Sequence, residues 1–237
     1  MVHVPGGKDL FGVSVTGGIK TLQGVLAWRN QRRGMLTTNF AEAGGFIKSR
    51  PEEATPDLQL HFVIGKLIDH GRKLSWGHGF SCHICLLRPR SAGSVRLASK
   101  DPLALPLVDP DFLSDRDDVE RMIRGFRIMR NILSQPALAV FGGRELKVTA
   151  GAQTDLQIEQ VIRDYGDTIY HPVGSCRMGN GEMDVVDARL RVHGVLGLRV
   201  VDASIMPRVV SGNTNAPVIM IAEKAADMIR AEQAQGH

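Results

Sequence analysis

The 237-residue chain carries 29 Lys and Arg against 25 Asp and Glu, a formal charge of +4, with 43% hydrophobic and 23% charged residues. That is ordinary globular composition, enough for one large core or two modest ones, and no basic stripe with interleaved aromatics speaks for a nucleic-acid partner. Three cysteines speak against a disulfide framework; with no signal-like opening and no apolar run of membrane-spanning length, the expected location is cytoplasmic.

In chain order, the first sixteen residues show Gly and Pro punctuation without a period. Residues 17–33 place Ile19, Leu22, Val25 and Leu26 on one helical face beside Trp28, which predicts a core-facing helix. Its end carries Arg29, Arg32 and Arg33, suited to the C-terminal dipole, and Gly34 is expected to stop it. Residues 39–47 read as a strand softened by glycine. Residues 57–64 alternate, with Leu58, Leu60, Phe62 and Ile64 on one face. Residues 80–88 and 93–98 give two more strands joined by a turn at Pro89, Ser91 and Gly93. The run DPLALPLVDP reads as an extended linker. Ser114 then caps a long amphipathic helix with Asp117 and Asp118 in its first turn, carried by Val119, Met122, Ile123, Phe126, Met129 and Leu133 and ending before Pro136. Thr154 caps another helix, and the last runs from about Pro217 through Ile229. Several strands linked by turns, followed by helices, predict an α+β protein built on an antiparallel sheet with helices on one side.

Chemistry concentrates between Ile169 and Pro217. His171 precedes Pro172 and Gly174; LRVVD, ending on Asp202, reads as a buried strand; SGNTNAP gathers small residues and amides before the last helix. Imidazole is the usual general base near neutral pH, and an Asn-rich helix start presents amides and backbone N–H groups to a ligand rich in acceptors. His171 and Asn213, far apart in sequence, lie on either side of the expected strand. Cys82 and Cys85 form a lone C-x-x-C on an apparent strand; alternation makes them face opposite ways, which suits packing better than a metal.

The pattern HPVGS-x-RMG, then VVD-x-RLRVHGV-x-GLRVVDASIMP, then SGNTNAP-x-IMIAEKAADMI resembles the C-terminal signature of the glucose–methanol–choline (GMC) flavoprotein oxidoreductases, in the choline dehydrogenase and alcohol dehydrogenase branch. The segments GMLTTNFAEAGGF and GHGFSCHICLLRPRSAGSV extend the resemblance more loosely upstream, and Ser175 stands where family members more often carry Thr. The resemblance implies FAD as cofactor and oxidation of a primary alcohol, choline-like, aliphatic or aromatic. His171 would take or stabilise the hydroxyl proton as a hydride passes to the flavin. It gives Asn213 the place of the partner amide and sets Asp202, Ala203, Asn213, Thr214 and Asn215 beside the flavin. His78 and Glu42 are implied on the substrate side, and His193 is expected to be structural. It also implies a quinone or other electron acceptor and a peripheral membrane association. That association offers a second reading of residues 17–33, as an interfacial helix.

No G-x-G-x-x-G, the anchor of a dinucleotide pyrophosphate, occurs in the chain. The expectation is therefore a substrate-binding region at residues 1–164 and, at 165–237, the C-terminal strand and helix of an FAD-binding α/β domain. The N-terminal FAD-binding half would be a missing partner. The alternative is an inactive fragment that keeps only a substrate-domain-like binding fold.

Overall fold

The structure, a computed structural model, describes residues 2–4, 10–66, 73 and 75–235. In order the elements are β1 (Val2–Val4), β2 (Gly12–Val13), α1 (Val15–Gln31), β3 (Ala43–Ile47), β4 (Leu58–Val63), β5 (Gly77–Leu86), β6 (Ser94–Arg96) and β7 (Leu107–Asp109). After them come α2 (Arg116–Leu133), α3 (Pro136–Ala139), β8 (Arg144–Glu145), α4 (Lys147–Ala150), α5 (Asp155–Tyr165) and α6 (Asn215–Gln235). The chain divides into two compact units, residues 1–86 with 119–167 and residues 87–118 with 168–237.

The first unit is a six-stranded antiparallel sheet in the order β3-β4-β5-β1-β8, with β2 also on β5. Its long strand β5 pairs with β1 and β2 at one end and with β4 at the other. Register places Leu58 opposite Leu86, Leu60 opposite Ile84 and Phe62 opposite Cys82 on one face, and Gln59 opposite Cys85 and His61 opposite His83 on the other. Helix α2 lies against the apolar face and buries Val119, Ile123 and Phe126, each worth about 1.5–3 kcal/mol of burial. Gly125 allows that approach, since a Cβ there would come within 2.4 Å of Ile84 Cδ1 and 2.8 Å of Leu58 Cδ1. Helix α5 is fixed by a capping box between Thr154 and Gln157 and buries Ile158 and Ile162.

Two expectations need correction here. Helix α1 forms, but its apolar stripe does not face the core. Val15, Ile19, Leu22 and Leu26 are 73%, 54%, 64% and 52% exposed, while the buried positions are Gly17 and Gly24. Spacing of i, i+4, i+7 and i+11 puts the stripe on one side and the glycines on the other. Bare backbone permits the closest contact: a Cβ on Gly17 would lie 2.2 Å from the Gly12 carbonyl oxygen. The helix ends at Arg32, which takes the left-handed conformation at φ 53°, before Gly34. Secondly, DPLALPLVDP is not only a linker. Its Leu107–Asp109 stretch is β7, the partner of β6 in a separate two-stranded sheet (Ser94 opposite Asp109, Arg96 opposite Leu107).

In the second unit a small core of Val186, Leu190, Ile205, Met206, Ile221 and Ala225 joins the 186–206 loops to α6, whose buried positions fall one turn apart. The run LRVVD is extended but is not a strand. Its backbone bonds are Val192 N–H to the Leu198 carbonyl at 3.0 Å and Val200 N–H to the Leu190 carbonyl at 3.1 Å, with an isolated bridge between Arg191 and Arg199. β-Branched side chains favour extended backbone, but a ladder also needs a neighbour of matching length, which the short 190–192 stretch does not provide.

The same loops are held by carboxylates. Asp187 accepts from Arg191 N–H and Arg189 N–H and pairs with the Arg191 guanidinium, and these bonds hold its pKa down at about 2, the Arg191 backbone bond foremost. A carboxyl whose folded pKa lies below its ordinary 3.8 stabilises the fold above that value and loses the contribution as pH falls through the folded value. The melting temperature is thus expected to drop between pH 3.8 and about 2, and Asp187→Asn should flatten that part of the curve; equal pH dependence in both proteins would refute the assignment.

Candidate active site

The His171 segment is pinned at both ends within the second unit. Tyr170, in left-handed backbone at φ 63°, donates its N–H to Thr168 Oγ1 at 2.9 Å; such a conformation in a bulky residue is costly and is held only by surrounding bonds. Downstream, Cys176 N–H meets the Ser204 carbonyl at 3.1 Å and Met178 N–H the Ile205 carbonyl at 2.8 Å, so the segment is stitched to the stretch that enters the core at Ile205 and Met206. The Asn-rich loop is held likewise. Ser211 takes φ 65°, its hydroxyl accepts from Arg88 Nη1 at 3.0 Å, and α6 begins with Val218 N–H on the Thr214 carbonyl at 3.0 Å.

Those constraints bring His171 and Asn213 together. Asn213 Nδ2 lies 2.7 Å from His171 Nε2, and on the far side of the ring Nδ1 lies 3.0 Å from Thr214 Oγ1 and 3.4 Å from Thr214 N. The imidazole is partly buried, Asn213 is exposed and Thr214 is 8% exposed. One end of the ring therefore meets an open amide and the other a buried hydroxyl. An imidazole held in this way can take a proton from an incoming hydroxyl while a neutral amide donates to the oxygen left behind.

The remaining expected site residues are placed as follows. Asp202 is exposed, and its carboxylate caps the 3₁₀ turn Ala203–Ile205 by accepting Ser204 N–H at 2.7 Å. Ala203 is partly buried and packs against the second unit's core, and Asn215 is exposed at the first position of α6. In the first unit, His78 is 7% exposed, with Nε2 2.7 Å from Ser14 Oγ and Nδ1 2.7 Å from the Leu10 carbonyl. Both of its nitrogens thus fasten the β2–α1 junction onto β5. Glu42 is exposed just before β3. His193 reaches the Gly179 carbonyl at 2.9 Å, in the loops of the second unit. Cys82 is buried opposite Phe62 and Cys85 lies beside His61 on the other face, and burial pushes both thiols up to about 11.

Two contributors escaped the sequence reading: the Thr214 side chain against His171, and Arg88 bracing Ser211 from 123 residues away. A signal for the first exists. Thr214 precedes its helix by one residue and Pro217 sits three residues on, at one of the two positions where a Thr cap finds an N–H. Nothing local marks Arg88.

The GMC oxidoreductase family model matches residues 89–222, more than half of the chain and all of the His171–Asn213 arrangement. The chain belongs to the GMC oxidoreductase family. Among curated relatives it is 49% identical over 208 residues to an "alcohol dehydrogenase [acceptor]" of Pseudomonas putida, covering 88% of this chain and 38% of that protein. It is 43% identical over 224 residues to an "oxygen-dependent choline dehydrogenase" of Escherichia coli, covering 90% and 40%. The chain thus spans about two fifths of the length of these relatives and corresponds to their C-terminal portion. Among solved structures, pyridoxine 4-oxidase from Mesorbium loti matches with a TM-score of 0.71 at 29% identity over 84% of this chain and 38% of that one. Formate oxidase of Aspergillus oryzae, from a study of its FAD modification, matches the fold with a TM-score of 0.83 at 23% identity, over all of this chain and 46% of that one.

Proposed function

We propose that this chain is the C-terminal part of an FAD-dependent dehydrogenase that oxidises the CH–OH group of a primary alcohol, with His171 as the base and Asn213 as a donor to the substrate oxygen. The observation that carries the reading is the 2.7 Å approach of His171 and Asn213 at the start of α6. The alcohol and choline dehydrogenase names of the relatives support the substrate class.

The residues present suit one edge of a flavin. The first turn of the 21-residue α6 offers backbone N–H groups at the positive end of a long helix. The pyrophosphate calls for a Gly-rich loop, which this sequence lacks, so the other half of the cradle would come from an N-terminal FAD-binding portion. When bound, FAD supplies the two-electron acceptor for the carbinol carbon. What this chain supplies is a proton acceptor at His171 Nε2 and a hydrogen bond from Asn213 to the alkoxide oxygen. The test is anaerobic addition of primary alcohols, choline among them, to the FAD-loaded protein. Bleaching of the flavin with aldehyde formation is expected; an unbleached flavin with every alcohol class would overturn the reading.

The outward face of α1 supports a second part of the proposal, peripheral attachment to an anionic membrane. The helix contains no acid, Lys20, Arg29, Arg32 and Arg33 lie along it or at its end, and the Arg32 guanidinium stands 4.4 Å over the Trp28 ring. An apolar stripe edged by bases and a Trp suits the headgroup boundary. The chain is expected to sediment with vesicles rich in anionic lipid, less so with zwitterionic ones, and Ile19→Ser with Leu22→Ser should abolish it. If the chain binds but the longer protein does not, the stripe is instead covered by the rest of the polypeptide.

A further inference from the structure

We propose that Thr214 is a positioning residue that sets the tautomer of His171, its hydroxyl oxygen accepting the Nδ1 proton so that the lone pair stands at Nε2. A neutral imidazole carries one proton on either nitrogen, and the partners decide which. On the Asn213 side the group facing Nε2 at 2.7 Å is an amide nitrogen, which can only donate. Nε2 must then be bare, and the ring proton belongs on Nδ1. The partner there has to accept, and at 3.0 Å the Thr214 hydroxyl oxygen can do so. The Thr214 backbone N–H also points at Nδ1, from the longer distance of 3.4 Å, and competes with the shorter hydroxyl contact for that nitrogen.

The sequence leaves that oxygen with fewer competing donors. Thr214 immediately precedes α6, and a capping hydroxyl ordinarily accepts from the N–H two or three residues on. Here the third residue is Pro217, which has no N–H, so Ala216 N–H is left as the one capping donor in range. The hydroxyl is also well fixed. Thr214 is buried, its β-branched side chain has few rotamers, and its carbonyl is held by Val218 N–H. When Nε2 takes a proton, the Nδ1–H bond to Oγ1 remains, so the same contact serves the neutral ring and the imidazolium. The catalytic consequence rests on His171 being the base, as proposed above; the tautomer does not.

The experiment is ¹⁵N NMR of the histidine-labelled chain, with His171 identified by the signals lost in His171→Gln. With the ring neutral, the wild type is expected to show Nδ1 protonated and Nε2 bare. Thr214→Val, which keeps the shape without the oxygen, should shift the population towards the Nε2–H form, and Thr214→Ser should restore it. In the FAD-loaded protein the Val variant should slow alcohol-driven bleaching by at least about tenfold, as a wrong tautomer does in a His-dependent site, with recovery in the Ser variant. A wild-type ring protonated at Nε2, with the Asn213 oxygen turned towards it, would overturn the proposal without recourse to any variant. So would a Val variant with an unchanged tautomer. Since the spectrum needs neither FAD nor alcohol, the expected tautomer with unaltered bleaching would sink the assignment of His171 as base and leave the role of Thr214 intact.

Discussion

His171→Ala is expected to slow alcohol-driven bleaching of the flavin by about 10²–10⁴-fold while weakening alcohol binding far less. As the proposed base, the imidazole interacts chiefly with a proton that moves only in the transition state, so its loss should fall on the chemical step. Nothing adjacent replaces it: the side chains at its two nitrogens, Asn213 and Thr214, offer an amide and a hydroxyl, neither of which takes up a proton near neutral pH. Asn213→Ala removes one neutral hydrogen bond and leaves the base in place, so a loss of about tenfold is expected. Rapid mixing of both variants with substrate separates the effects. Wild-type bleaching in His171→Ala across pH would move the base elsewhere. His78 is poorly placed for that work, because its nitrogens already bond Ser14 and Leu10.

The largest structural effect is expected at Asp118. This carboxylate is fully buried and accepts from Arg90 N–H at 3.0 and 2.9 Å, Ser91 N–H at 2.8 Å and Ser91 Oγ at 2.6 Å, tying the start of α2 to the chain leaving β5. Removing the carboxylate takes one shared acceptor from three part-buried donors, and each bond to a charged group is worth more than a neutral one. Asp118→Ala should therefore destabilise the chain by at least about 2 kcal/mol in urea unfolding. Asp118→Asn, which keeps one acceptor oxygen, should fall between. An Ala variant as stable as wild type would show that these donors find water at no cost. Asp115 and Asp117 stand close by, but Asp115 accepts Asp117 N–H at 2.8 Å and Asp117 faces Arg90 at 3.6 Å, as acids at a helix start do.

The sequence by itself determined the elements whose cause is local. Thr154 and Gln157 announce α5 because a capping box needs only neighbouring residues, and alternation at Leu58, Leu60 and Phe62 reads β4 because a half-buried strand repeats every two residues. It also marked the candidate site: His171 and Asn213 stand in a dense motif, and the family model covers both. Only the tertiary structure decided what depends on distant partners. Periodicity found the stripe on α1 but not the side facing inward, since Gly17 and Gly24 draw the backbone closer than the larger side chains could. The pairing of β6 with β7 and the failure of LRVVD to become a strand turn on which neighbour has a matching edge. The Thr214 hydroxyl meets His171 because the fold places an imidazole within 3.0 Å of it, and Pro217 marks only that one of its usual capping donors is missing.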